Sequence, residues 1–183
     1  MDAATRSAVP RIVVALLVGG LVGFSAGYFA GGGGRPRSAP APVASGGGGE
    51  AELKRAIDRD PENPALWIAL GNLEYDREDW DAAITAYEKA RRKAPKNANL
   101  LSDLGAAHRN AGEFELAVAF FGKARAADPN QWQSLLNWVL VEAFDRRDAG
   151  AAQRLFDELK QKYPEIPQLD RIQAQISSLR AGA

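Results

Sequence analysis

Few side chains in this 183-residue chain have the chemistry for catalysis or metal binding. There is one histidine, His108, no cysteine, and one acidic run, Asp76, Glu78, Asp79 and Asp81. The missing thiols exclude disulfide staples, Cys/His zinc sites and cysteine nucleophiles. No nucleophile, base and orienting acid share a recognisable spacing with His108. The acidic run lacks the glycine and terminal glutamate of an EF-hand loop, so calcium is not expected there. Asp79 reads instead as the N-cap of the helix that follows. Arg91, Arg92, Lys93 and Lys96 fall at a predicted helix C-terminus, where cations complement the macrodipole; contact with anionic lipid is the alternative. The expectation is a protein with no catalytic residues, no metal and no cofactor.

Charge points the same way. Lys plus Arg and Asp plus Glu each number 23. The neutrality conceals an asymmetry: residues 1–49 hold 12 of the 18 glycines and four arginines against Asp2 alone, leaving 19 basic and 22 acidic side chains in the remainder. A mildly acidic body lacks the basic footprint of a nucleic-acid binder.

Ile12 to Ala30 carries no charge over 19 residues. As a helix it rises roughly 28 Å, close to the hydrocarbon thickness of a bilayer, and it reads as a transmembrane helix. A cleaved secretory signal ending near Ser25-Ala26-Gly27 is the rival reading. Gly19, Gly23, Gly27 and Gly31 recur every fourth residue and offer a face for homo-oligomer contacts. Arg6 and Arg11 upstream nearly balance Arg35 and Arg37 downstream. The slight upstream excess places the N-terminus in the cytoplasm and the C-terminal body across the membrane, in a bacterium the periplasm beside the inner membrane. Residues 31–49, built of Gly, Pro, Ala and Ser with two arginines, read as a flexible linker.

The body repeats. Pro64–Asn97 set above Ala98–Gln131 shares eight identities at an offset of 34, namely Leu66/Leu100, Leu70/Leu104, Gly71/Gly105, Ala83/Ala117, Lys89/Lys123, Ala90/Ala124, Arg91/Arg125 and Pro95/Pro129. Each unit reads as two helices, the first carrying Leu66, Trp67, Leu70 and Gly71 on one face, the second Ala83, Ile84, Tyr87 and Ala90. Small residues let the paired helices approach, and Pro95 and Pro129 end each unit. A half unit precedes them, with Leu53 opposite Tyr87 and Ala56 opposite Ala90. A third, degenerate unit begins at Trp132, with helices over about 132–146 and 150–162. At the same offset its second helix keeps Ala151 and Leu155, while Glu158 and Tyr163-Pro164 replace the small residue and the proline. Ile166, Leu169, Ile172, Ile176 and Leu179 then share one face of a capping helix.

Trp67-x2-Leu70-Gly71, Ala83, Tyr87, Ala90, Pro95, repeated as Leu101-x2-Leu104-Gly105, Ala117, Phe121, Ala124, Pro129, resembles the tetratricopeptide repeat. The chain thus divides into an N-terminal cytoplasmic tail 1–11, a transmembrane helix 12–30, a linker 31–49, a repeat solenoid 50–163 and a C-terminal capping helix 164–183. The resemblance implies an all-α, right-handed solenoid of about three helix pairs whose first helices line a concave groove holding a peptide or protein partner. It assigns to that groove Ala65, Ile68, Asn72, Tyr75 and Asp76, then Asn99, Ser102, Ala106, Arg109 and Asn110, then Gln133, Leu136 and Asn137. Asn72 and Asn137 are suited to hold peptide backbone and Arg109 to meet a carboxylate. His108 takes the place where the family keeps a Tyr facing the partner helix. One subgroup clamps chaperone C-termini with groove cations; here Ile68, Asp103, Gln133 and Asn137 stand where its Lys, Asn and last two cations should be, so that activity is not expected. The function implied is a membrane-anchored, non-enzymatic scaffold or assembly factor. The alternatives are a cytochrome c maturation-type factor presenting apocytochrome, an envelope or secretion assembly factor, or a self-assembling structural protein.

Overall fold

Local stop and start signals cut the chain into short helices. The structure, a computed structural model, describes residues 47–167 and 169–182. Its elements are α1 (Gly47–Arg59), α2 (Pro64–Asp76), α3 (Trp80–Lys93), α4 (Ala98–Asn110), α5 (Phe114–Ala127), α6 (Trp132–Leu140), a π-helical turn (Val141–Asp145), α7 (Ala149–Lys162) and α8 (Leu169–Ala181). The tail, the apolar run 12–30 with its glycine face, and residues 31–46 lie outside the described residues. Among the described residues no helix is long and apolar enough to cross a membrane. Helix α1 begins at Gly47, three residues inside the segment read as linker.

Side-chain caps set the register. Asn63 accepts from the Ala65 N–H at 3.1 Å, Asp79 from Ala82 at 3.1 Å, Asn97 from Leu100 at 3.1 Å and Asp148 from Ala151 at 2.8 Å, each satisfying an orphan donor of the first turn. Asp79 is therefore a cap, as its position predicts. Helices α2 with α3 and α4 with α5 form the two regular pairs, α1 is the preceding half unit, and α6 with α7 is the third.

Within a pair, approach is limited by the small residues. Ala83, Ala90, Ala117 and Ala124 are fully buried. Gly71 lies under the Tyr87 ring, where an added Cβ would sit 2.4 Å from Cδ1, and Gly105 lies under Phe121, at 2.6 Å from Cε1. Trp67 fills the space between successive pairs: it packs against both neighbouring clusters, donates from Nε1 to the Pro61 carbonyl at 2.8 Å, and carries the Lys89 ammonium over its ring. At the far end α8 buries Ile172 and Ile176 against Phe156 and Leu159, with Ile166 and Leu169 covered beside them. This is the cap that the apolar stripe predicts.

The third unit departs from the expected register. Ala152, Phe156 and Leu159 are fully buried, whereas Ala151, Leu155 and Glu158 are not. The core positions thus follow Ala117, Phe121 and Ala124 at an offset of 35, and Pro164 follows Pro129 likewise. One extra residue has entered between the helices. Two backbone markers locate it. The first helices end in step, since Glu74, His108 and Glu142, spaced by 34, each accept a hydrogen bond from the next cap residue, Asp79, Glu113 and Asp148. The caps themselves are spaced by 34 and then 35, as are the positive-φ residues before them, Glu78 at 62°, Gly112 at 82° and Arg147 at 56°. The insertion lies after Glu142, where the helix widens into the π turn that accommodates it. Counted at this offset the third unit retains the small–aromatic spacing of the others, with Leu159 in place of the last alanine.

Candidate functional site

The face formed by the first helices of successive units holds most of the residues that the repeat positions assign to a groove. Asn72 and Asp76 are exposed, as are Ala65 and Asn99; Ile68, Tyr75, Ala106, Arg109, Asn110, Gln133 and Asn137 are half-buried. Ser102 and Leu136 are buried and present little surface to a partner.

Several of these side chains bond to one another across units. Asn110 on α4 donates from Nδ2 to the Tyr75 hydroxyl on α2 at 2.8 Å, and Gln131 donates to Asn99 at 2.6 Å. Tyr87 on α3 donates to Asn72 Oδ1 at 2.8 Å. Arg109 donates from Nε to Asp145 in the π turn at 2.5 Å, and both side chains are largely covered. The cation expected to meet a ligand carboxylate therefore already holds a carboxylate of its own chain. What remains open on this face are the Asn72 amide NH₂, the Asn110 carbonyl and the Asp76 carboxylate, together with apolar surface from Ile68 and the edge of Tyr75, which packs against Trp80 with ring centroids 5.0 Å apart.

Asp145 escapes a reading by repeat position, while Tyr87 is read there only as a packing residue and Asp103 only as a departure from an expected Asn. Asp103 lies on α4 between Leu100 and Leu104, inside the apolar stripe formed with Ala107, and that interruption is the signal in the sequence. It is half-buried, enclosed by neighbouring atoms while keeping partial contact with solvent. Burial raises its pKa to about 6. Burial also raises the Tyr75 and Tyr87 phenols, and the Asp103 charge adds to both shifts, so its carboxylate lies within electrostatic reach of each ring. Among the described residues no side chain donates a hydrogen bond to Asp103 and no cation pairs with it.

Several other polar groups have structural partners. His108 is 6% exposed, stacks on Phe120 at 5.1 Å and lies 2.6 Å through Nδ1 from Glu113, a packed role between the two helices of its unit. In the basic cluster, Arg91 binds Glu88 within α3 and Lys93 binds Glu62 across the unit boundary. At the opposite end Glu50 joins Lys54 and Arg77, and the hydrogen bond from Lys54 is the larger reason that its pKa falls to about 2.

Comparison with known proteins agrees with this geometry. A family profile described as tetratricopeptide repeat matches residues 68–131. The general transcriptional corepressor ssn6 of Schizosaccharomyces pombe is 29% identical over 110 residues, which cover 58% of this chain and 10% of that protein, so the chain spans about a tenth of that relative. A tetratricopeptide repeat protein from Parabacteroides merdae superposes with a TM-score of 0.67 at 20% identity, over 73% of this chain and 53% of that one. The first TPR of Spaghetti (RPAP3) bound to the HSP90 peptide SRMEEVD superposes with a TM-score of 0.59 at 18% identity, over 64% and 95%. The paired helices, their small–aromatic contacts and the matched profile identify residues 68–131 as tetratricopeptide repeats.

Proposed function

We propose that the chain is a non-enzymatic binding module whose first-helix face holds a segment of a protein partner in a concave groove, and that residues 12–30 tether it to a bacterial inner membrane with the solenoid on the periplasmic side. One observation carries the groove reading. Asn72, Asp76 and Asn110, on α2 and α4, keep polar atoms open on one face, while Tyr87 fixes Asn72 within its unit and the Asn110–Tyr75 bond ties one unit to the next. Such a face presents pre-ordered donors and acceptors to an extended chain. The structural relative bound to an HSP90 peptide supports a peptide ligand. The anchor, the topology and a contact through Gly19, Gly23, Gly27 and Gly31 rest on the sequence. The absence of catalysis is supported by the packed position of His108, its ring covered by Phe120.

The test places a photo-crosslinking amino acid at Asp76, exposed on α2, in the full-length protein in its native cell, with Arg92, exposed on α3, as the control. A partner captured at Asp76 and absent at Arg92 is the expected result, and equal capture at both sites refutes the groove. A periplasmic partner supports the topology and a cytoplasmic one reverses it. Capture of an apocytochrome through its haem-attachment segment would establish the maturation role.

A further inference from the structure

The first-helix face carries acidic charge that no ion pair among the described residues resolves. Its one centrally placed cation, Arg109, is held by Asp145. Asp103 is enclosed beside Tyr75 and Tyr87 without a donor or cation among the described residues, and Asp76 is exposed at the end of the same helix as Tyr75. A partly desolvated carboxylate such as that of Asp103 attracts a counter-charge more strongly than an exposed one, because screening by water is weaker there. The ring of Tyr75 adds an aromatic surface that favours an alkyl-ammonium or guanidinium group.

We propose that Asp103 is the floor of a cation subsite that receives a Lys or Arg side chain of the bound partner segment. Asp103 accepts the charged hydrogen bonds, the half-buried Tyr75 ring flanks the aliphatic stem, and the open amide groups of Asn72 and Asn110 hold the adjacent peptide backbone. The partner is a protein segment with a basic residue, opposite in charge to an acidic tail gripped by groove cations. This inference rests on the groove reading.

The experiment pans a random 12-residue peptide display library against the full-length protein in detergent, then measures synthetic N-acetylated winners by fluorescence anisotropy. Acetylation separates side-chain recognition from capture of a terminal amine. The expected winners share a Lys or Arg at one position. A folded Asp103→Asn protein should bind them about tenfold more weakly, while binding analogues with Met at that position as wild type does. Asp103→Lys should invert the preference toward Asp or Glu, and circular dichroism establishes that each variant is folded. Winners without a common basic position, or equal binding by Asp103→Asn, would overturn the cation subsite and leave the groove standing. Winners that bind undiminished to Ala65→Trp, which blocks the groove wall, or a library with no winners, would overturn the groove reading and the subsite with it.

Discussion

Adding one methyl group at Gly71 tests the closest approach in the fold. A Cβ there would lie 2.4 Å from both Cδ1 and Cε1 of Tyr87 and 3.0 Å from Cγ, so the ring must retreat by about 1 Å to reach ordinary van der Waals separation. That ring is 2% exposed and has no free space to enter. Overpacking of this kind costs about 2 kcal/mol. The same movement pulls the phenol from Asn72, its partner at 2.8 Å, for about 1 kcal/mol more. Replacing a mid-helix glycine by alanine returns about 1 kcal/mol of helix propensity. Gly71→Ala is therefore expected to destabilise the domain by about 2 kcal/mol, measured by guanidinium denaturation. Gly71→Leu should unfold it. The double variant Gly71→Ala/Tyr87→Leu should show a favourable coupling of about 1 kcal/mol, because the smaller side chain vacates the space the methyl group needs. Unchanged stability in Gly71→Ala, or strict additivity in the cycle, would refute the claim that this ring sets the helix separation.

Four further outcomes follow from particular residues. Asp103 has a folded pKa of about 6, above its unfolded value, so its contribution to stability is complete below about pH 4 and is lost as pH rises through 6. Asp103→Asn should accordingly be more stable than wild type by about 3 kcal/mol at pH 8 and close to it at pH 4, in denaturant melts at the two pH values. Phe156→Ala should cost at least about 3 kcal/mol and Leu155→Ala about 1 kcal/mol, since the first side chain is fully buried and the second is not; the reverse ranking would restore the uninterrupted period of 34. Glu78→Gly and Arg147→Gly should each raise stability by about 0.5–1 kcal/mol by relieving a left-handed backbone, seen as higher melting temperatures. Arg109→Ala should lower stability by about 1–2 kcal/mol by leaving the largely covered Asp145 carboxylate unpaired, an effect that Arg109→Ala/Asp145→Asn should largely reverse.

The sequence by itself determined the helix pairs and the cap. Leu66, Leu70, Gly71, Ala83, Tyr87 and Ala90 recur at a fixed spacing, and identical units must pack alike, so one unit read correctly gives the next. Asn63, Asp79, Asn97, Pro95 and Pro129 mark ends through local backbone chemistry that needs no tertiary partner. The third unit was legible only up to Glu142. A fixed offset cannot register one inserted residue, and Ala151 with Leu155 imitate the true pair, Ala152 with Phe156, one position early. Burial separates them, because a shift of one residue turns a helix face by about 100°. The candidate face was legible as a set of positions and not as a set of interactions. Repeat register says that Arg109, Asn72 and Tyr75 share a face; it does not say that Asp145, Tyr87 and Asn110 bond to them, since those partners come from other helices and meet only when the helices stack. Asp103 is the sharpest case. Its identity is plain in the chain, but its unpaired charge is a property of everything around it, and only the tertiary structure decides which cations come near enough to neutralise it.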